Sequence, residues 1–458
     1  MTEVQKLAQF VAEADWEALP EPTREQLKIR VLDSLACAIG AQEGEAVRKL
    51  QACLAELDGH GRCHWMGGGL ASPDRAALYN GALVRYLDFN DSYLAKRETC
   101  HPSDNIAAIL AAGEYVAASG RDLLTAIAVA YQVQCRLSDV APVRAHGFDH
   151  TTQLAYSAAA GVSKILGLDV AQIAHAIALS GTALNALRVT RTGALSHWKG
   201  LAAPYTASCA LQLVLLARHG ITGPLEVFEG EKGFMDALVG RFEIDWQHEN
   251  PERVSHTVLK KYNAEMHSQT AIEALLQLRT AHHVDPALVT RIDVRVFDVA
   301  HRIIGGGEEG DKTIVRTKEE ADHSLPYVLA VALLDGQVMP EQYSLERIRR
   351  ADVQSLLRKV FIQPDESYST RFPDEMPAHV KVTLQSGLLV EREISALEPP
   401  SWQWAREKFE LLASAYTSPE QRAGIVEMTS SLEQVRIADL IKLLAAVGSR
   451  RRIQPSAA

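Results

Sequence analysis

Two carboxylates and an imidazole stand close together early in the chain. Asp88 and Asp91 lie in Tyr86-Leu87-Asp88-Phe89-Asn90-Asp91-Ser92, and His101 opens His101-Pro102-Ser103-Asp104-Asn105. The first string closes an apolar run (Ala82, Leu83, Val84, Leu87), and the second precedes the Ala-rich stretch Ile106 to Ala112. Read as helix, loop and helix, this spacing predicts that Asp88 orients His101. Ser103 or Asp104 would then cap the second helix by accepting hydrogen bonds from its free amides. An acid, a base and a helix N-terminus in one loop suit an anion that must lose or gain a proton. The plainer alternative is that Asp, Asn, Ser and Pro cap and turn loops without doing chemistry.

Four further polar clusters interrupt apolar surroundings. They are His146-Gly147-Phe148-Asp149-His150, the segment from Arg188 through Arg191 to Ser196-His197-Trp198-Lys199-Gly200, Lys260-Lys261-Tyr262-Asn263-Ala264-Glu265-Met266-His267-Ser268, and Ala321-Asp322-His323-Ser324-Leu325-Pro326-Tyr327. Each has a structural alternative. His146 and His150 can be satisfied by backbone carbonyls, Lys199 can be a solvated cation beside Trp198, and Tyr327 can be core with its hydroxyl bonded locally. No His-Glu-x-x-His pair occurs, and the six cysteines include no Cys-x-x-Cys. No metal and no cofactor is therefore expected. Gly305 to Lys312 fails as a phosphate loop, because Asp311 follows its last glycine and Glu308 and Glu309 would repel phosphate.

A chain of 458 residues exceeds one ordinary core and needs elements enough to position such clusters. The net charge of −10 argues against nucleic acid or an acidic membrane as partner. The N-terminus lacks the basic start and apolar core of a secretory signal, no run approaches a membrane span, and a cytoplasmic location is expected. Helices are predicted at Leu27–Ile39 (entered through a Thr23/Gln26 capping box), Ala46–Leu57, from Asp74, and at Leu123–Leu137, Gln153–Leu166, Val170–Leu184 and Ala202–Arg218. Several are apolar nearly all round, as in the interior of a large helical domain.

The texture then changes. Arg291 to Phe297 alternates polar and apolar residues as a half-buried strand does, and His379–Leu384, Gln385-Ser386-Gly387 and Leu388–Ile394 read as a hairpin. Tyr327–Leu334 reads as a helix, and helices resume after Ser401, with Ser418-Pro419 as one start. The fold class is thus mainly α. Residues 1–268 read as helical, 269–400 as a smaller α+β domain and 401–458 as helical again. The tail from Arg450 is expected to fray.

Five strings, in order and spread over nearly the whole chain, resemble the MmgE/PrpD family: Tyr86 to Asp91, His101 to Asn105, Trp198-Lys199-Gly200, Glu265-Met266-His267-Ser268-Gln269-Thr270-Ala271, and Ala321 to Tyr327. The forms His-Pro-Ser-Asp-Asn and Glu-x-His-Ser-Gln-Thr-Ala are most similar to its bacterial 2-methylcitrate dehydratase branch. The resemblance implies a large all-helical domain (1–268 and the returning helices 401–458) with the smaller α+β domain (269–400) inserted before the C-terminal helices, a homodimer, and metal-free lyase chemistry on a small di- or tricarboxylate. It places active-site residues at Asp88, His101, His150, Lys199, Lys260 and Tyr327. One departure stands out: where the family's decarboxylase branch has a histidine five residues after its lysine, this chain has Glu265, with His267 two further on.

Dehydrating a 3-hydroxy tricarboxylate means removing a proton beside a carboxylate and expelling hydroxide. The extra negative charge needs preorganised cations, for which Lys199, Lys260 and Arg191 are candidates. His101 is the expected base and His150 or Tyr327 the expected acid, although these roles can be reversed. Arg188, Arg191, Lys260, Glu265 and His267 are expected to bind substrate. The alternatives are decarboxylation of cis-aconitate, epimerisation of an imino- or amino-dicarboxylate, and a catalytically silent scaffold.

Overall fold

Ala-rich, Gly-punctuated sequence makes helices whose axes can approach closely, and such helices build the first of two units. The computed structural model describes residues 1–57, 61–193, 195–307 and 310–448. The tail from Arg450 and the pair Glu308-Glu309 lie outside the described residues. One unit comprises residues 1–190, 200–258 and 400–458; the other comprises 191–199 and 259–399.

The first unit contains α1 (Glu3–Glu13), α2 (Glu21–Gly40), α3 (Glu45–Glu56), α4 (Pro73–Tyr86), α5 (Ile106–Tyr115), α6 (Gly120–Val140), α7 (Thr151–Ile165), α8 (Val170–Ala183) and most of α9 (Trp198–Arg218). The predicted helices are present, with shifted ends. The start of α2 at Glu21, with Pro22 in its first turn, replaces the expected Thr23 cap. Every residue of α7 except Lys164 is buried. A Cβ at Gly161 would lie 2.6 Å from Ile109 Cδ1 on α5, 3.0 Å from Ala130 Cβ and 3.1 Å from the Ala126 carbonyl on α6. Glycine is what lets these three helices meet. Gly161→Val is expected to lower unfolding stability by about 1–3 kcal/mol through overpacking, read from the urea midpoint.

The C-terminal helices return to this unit through specific bonds. Lys408, on helix Trp402–Ala413, pairs with Asp33 of α2 at 2.7 Å and donates to the Phe89 carbonyl at 2.7 Å. Farther on, Gly120 N donates to Val435 O and Gly67 N to Leu444 O.

The sequence expectation starts α9 at Ala202 with no run near the length of a membrane span, and the structure differs on both points. The helix spans 21 residues at a mean hydropathy of 1.5, long and apolar enough to cross a membrane by length and composition, and 56% of its apolar window is buried inside the protein. Core helices pass the same test.

The second unit is built on a four-stranded sheet of β1 (Val289–Val296), β2 (Val360–Pro364), β3 (Ala378–Leu384) and β4 (Leu389–Ile394), in the order β2-β1-β3-β4. The β3–β4 hairpin forms as expected, turning at Gly387 with φ +84°. Strand β2 is an addition, parallel to β1 with Ile292 opposite Val360. Its apolar run is only Val360-Phe361-Ile362, it ends in a proline, and it sits at the sheet edge, so it offers little two-residue periodicity to read. Helix Leu325–Asp335, expected from Tyr327, is buried along most of its length.

Candidate active site

The loop after α4 folds back because Asp88 takes a left-handed conformation (φ +54°), which a short polar side chain tolerates. Its carboxylate is then committed to Arg85, whose Nη1 lies 2.5 Å away and also donates to Asn90 Oδ1 at 3.3 Å. Arg85 Nε is 3.7 Å from Asp104, and Asn90 Nδ2 donates to Ser103 Oγ at 2.9 Å. These groups are all buried.

Asp91 anchors the loop from the other side. It accepts Ser103 N (3.1 Å) and Ser103 Oγ (2.6 Å) on one oxygen and the Tyr131 hydroxyl (2.7 Å) on the other. One expectation fails here. Ser103 and Asp104 do not cap the following helix; Pro102–Asn105 is a 3-10 turn and α5 starts without a side-chain cap. The His101 Nδ1 lies 2.7 Å from the Asp91 carbonyl and 3.2 Å from Ser92 Oγ. A carbonyl only accepts, so Nδ1 carries a proton, and in the neutral ring the lone pair is on Nε2.

His150 lies near His101. The His150 ring lies edge-on to His101, with centroids 5.2 Å apart and planes at 75°. Asp149 Oδ1 is 3.8 Å from His150 Nε2 and accepts Thr151 N, while its other oxygen is 4.0 Å from Arg188. Arg188 thus faces a carboxylate of the same loop.

Glu98, which sequence reading passed over, ties these segments together. Its Oε2 accepts Val143 N (3.1 Å) and Arg144 N (3.0 Å), just before the His146–His150 loop, while the residues after it, Thr99 and Cys100, lead into His101. Burial pushes its carboxyl up from 4.5 to about 7, against the opposing pull of the backbone donors and nearby arginines. The folded chain therefore holds a proton that an unfolded glutamate has released. Stability should fall by about 3 kcal/mol as pH rises through the window between those two values, then level off. Glu98→Gln should remove that slope in urea melts run across the window.

In the second unit, Lys199 and the Asp322 string come together. Lys199 Nζ is 2.7 Å from Asp322 Oδ1 and 2.9 Å from His323 Nδ1, and Lys318 reaches the other Asp322 oxygen at 2.7 Å. Burial alone would raise the Asp322 carboxyl; the two lysines and His323 outweigh it and hold it far below the usual range. Asp322 and His323 stand in a polar cluster singled out from the sequence but carry no assigned role there, and Lys318 is an addition. The readable signal was the i, i+4 spacing of Lys318 and Asp322. Arg191 donates to the Lys199 carbonyl at 2.7 Å, so it supports this segment.

Glu265 and His267 are committed to each other, with His267 Nδ1 2.6 Å from Glu265 Oε1 and His267 N donating to Oε2 at 2.8 Å. Burial would raise the Glu265 carboxyl, but His267, His323 and Lys260 bring it down to about 2. His267 is enclosed by the Phe297 and Phe372 rings and is 1% exposed. Tyr327 is also fully buried, and its hydroxyl donates to the Gln342 carbonyl. This is the core alternative rather than the catalytic acid, because the proton an acid must deliver is already bonded to the backbone.

Comparison with known proteins follows the same division. Residues 5–247 match the MmgE/PrpD N-terminal domain and residues 262–434 the MmgE/PrpD C-terminal domain. The second match runs on into helices that pack in the first unit. The chain is 29% identical over 398 residues to a 2-methylcitrate dehydratase of Cupriavidus necator, covering 80% of each chain. It is 29% identical over 367 residues to the 2-methylcitrate dehydratase of Escherichia coli K12, covering 75% of this chain and 74% of the relative. It is 28% identical over 426 residues to the alkylcitrate dehydratase phiI of a fungal species (strain ATCC 74256), covering 84% and 81%.

Proposed function

Because the chain belongs to the MmgE/PrpD family, we propose that it is a hydro-lyase that dehydrates 2-methylcitrate, and citrate as a second substrate, to the cis-aconitate-type alkene without a metal ion. It is an enzyme of the carbon–oxygen lyase class, as the similarity to dehydratases over most of its length supports. The observation that carries the reading is the buried pair His101 and His150, one of them fixed through Nδ1 on a backbone carbonyl.

In this reading His101 Nε2 takes the proton from the carbon beside a carboxylate, and the electron pair left behind forms the double bond as the neighbouring hydroxyl departs. His150 delivers a proton to that hydroxyl, so water leaves. Lys199 and Lys260 meet the charge that builds up on the carboxylate during proton removal. Tyr327 has no part in the transfer, since its hydroxyl serves Gln342. The proposal includes a homodimer in the cytoplasm, which light scattering of the purified chain checks for its assembly.

Incubation with 2-methylcitrate, citrate and cis-aconitate in the presence of a chelator tests the reading. Alkene formation from 2-methylcitrate, unchanged by the chelator, is the expected result. Release of CO₂ from cis-aconitate would instead make the chain a decarboxylase. No turnover of any of the three would leave epimerisation of a related dicarboxylate or a silent scaffold.

A further inference from the structure

Beside the His146–His150 segment lies a cavity of 530 Å³ bordered by Phe148, Tyr156, Gly181, Asn185, Val227 and Phe234, among others. This is the size of a small-molecule site. Its wall is an aromatic cluster. The Tyr156 ring stacks on Phe228 with centroids 4.9 Å apart and meets Phe234 edge-on at 5.2 Å.

Within that wall, the Tyr156 hydroxyl is completely buried and has no hydrogen-bond partner among the described residues. It lies beside Gly181, where an added Cβ would come within 2.6 Å of the oxygen, so the glycine keeps room there. A buried hydroxyl left unbonded costs free energy, and a ligand oxygen in the cavity would remove that cost. The charges at the cavity do not suit a polyanion. Glu226 and Glu231 line it against a single lysine, Lys232, whose side chain is 85% exposed and lies 3.9 Å from Glu231.

We propose that this cavity is a binding site for a small neutral molecule: an aryl or short alkyl group for the aromatic wall, bearing one carbonyl or hydroxyl oxygen that accepts from Tyr156. The site is separate from the reaction and stands whichever acid the enzyme turns over. Backbone hydrogen bonds join its rim to the His146–His150 segment. Asn185 borders the cavity, Asp149 N donates to Ala186 O at 2.9 Å, and Arg188 N donates to Gly147 O at 2.9 Å.

Acetophenone, with one ring and one acceptor oxygen, is the probe. Titrated into the full chain and followed by ligand-observed NMR, it should bind saturably. Ala237→Trp, at an exposed position on the cavity wall, should abolish that binding by filling the space. Tyr156→Phe should weaken it several-fold while leaving the thermal midpoint unchanged or higher, because the removed hydroxyl had no partner. Absence of saturable binding, or binding indifferent to either substitution, overturns the proposal. A large fall in the midpoint of Tyr156→Phe would also overturn it, by revealing a partner for the hydroxyl.

Discussion

Lys199→Ala should lower kcat for dehydration by about 10²–10³, the loss of roughly 3–4 kcal/mol expected when a donor to developing negative charge is removed from a dry site. Lys199 is 3% exposed and held on Asp322 Oδ1, a carboxylate that Lys318 shares. In such a buried setting a charge acts over a longer range than in water. The fold should survive the substitution. Orphaning a buried partner costs about 3–5 kcal/mol, but Asp322 keeps Lys318 and His323 when Lys199 is gone. Steady-state kinetics and a thermal melt on the same preparation separate the two effects. If KM rises while kcat holds, the lysine binds ground-state carboxylate only and the electrostatic role is wrong.

For His101→Gln the expected loss in kcat is about 10²–10⁴, the usual contribution of a positioned general base. The acid limb of the kcat profile should vanish with it, because the group that must be deprotonated for turnover is gone. The geometry makes this more specific than the sequence could. Since Nδ1 is held by the Asp91 carbonyl, only Nε2 can accept the substrate proton, and exogenous imidazole should restore part of the activity of His101→Ala. His150→Gln should affect the opposite limb. If the acid limb disappears with His150 and stays with His101, the two roles are exchanged. If kcat is unchanged in His101→Gln, proton abstraction belongs to neither the residue nor this mechanism.

Much of this was legible in the residues. The long Ala-rich helices, the β3–β4 hairpin and the His101 and His150 segments show in local periodicity and turn chemistry, which depend on neighbours within one or two turns. Helix ends were less legible, as α2 and α9 show, because the first turn is set by what receives its free amides. Strand β2 was missed because an edge strand with one buried residue has almost no pattern.

The residues alone disclose the enzyme's chemical groups, the helical character of most of the chain, the position of the α+β segment and the family. Pairings at short spacing, Arg85 with Asp88 and Glu265 with His267, lie within reach of local reading. Folding alone reveals the distant ones: Tyr327 with the Gln342 carbonyl, and Lys199 with an aspartate 123 residues away. It also supplied Lys408, which reaches the Phe89 carbonyl from 319 residues away. The reason is the short range of the hydrogen bond. A partner is whatever lies within about 3 Å once the chain has folded, and separation along the chain carries no record of that distance.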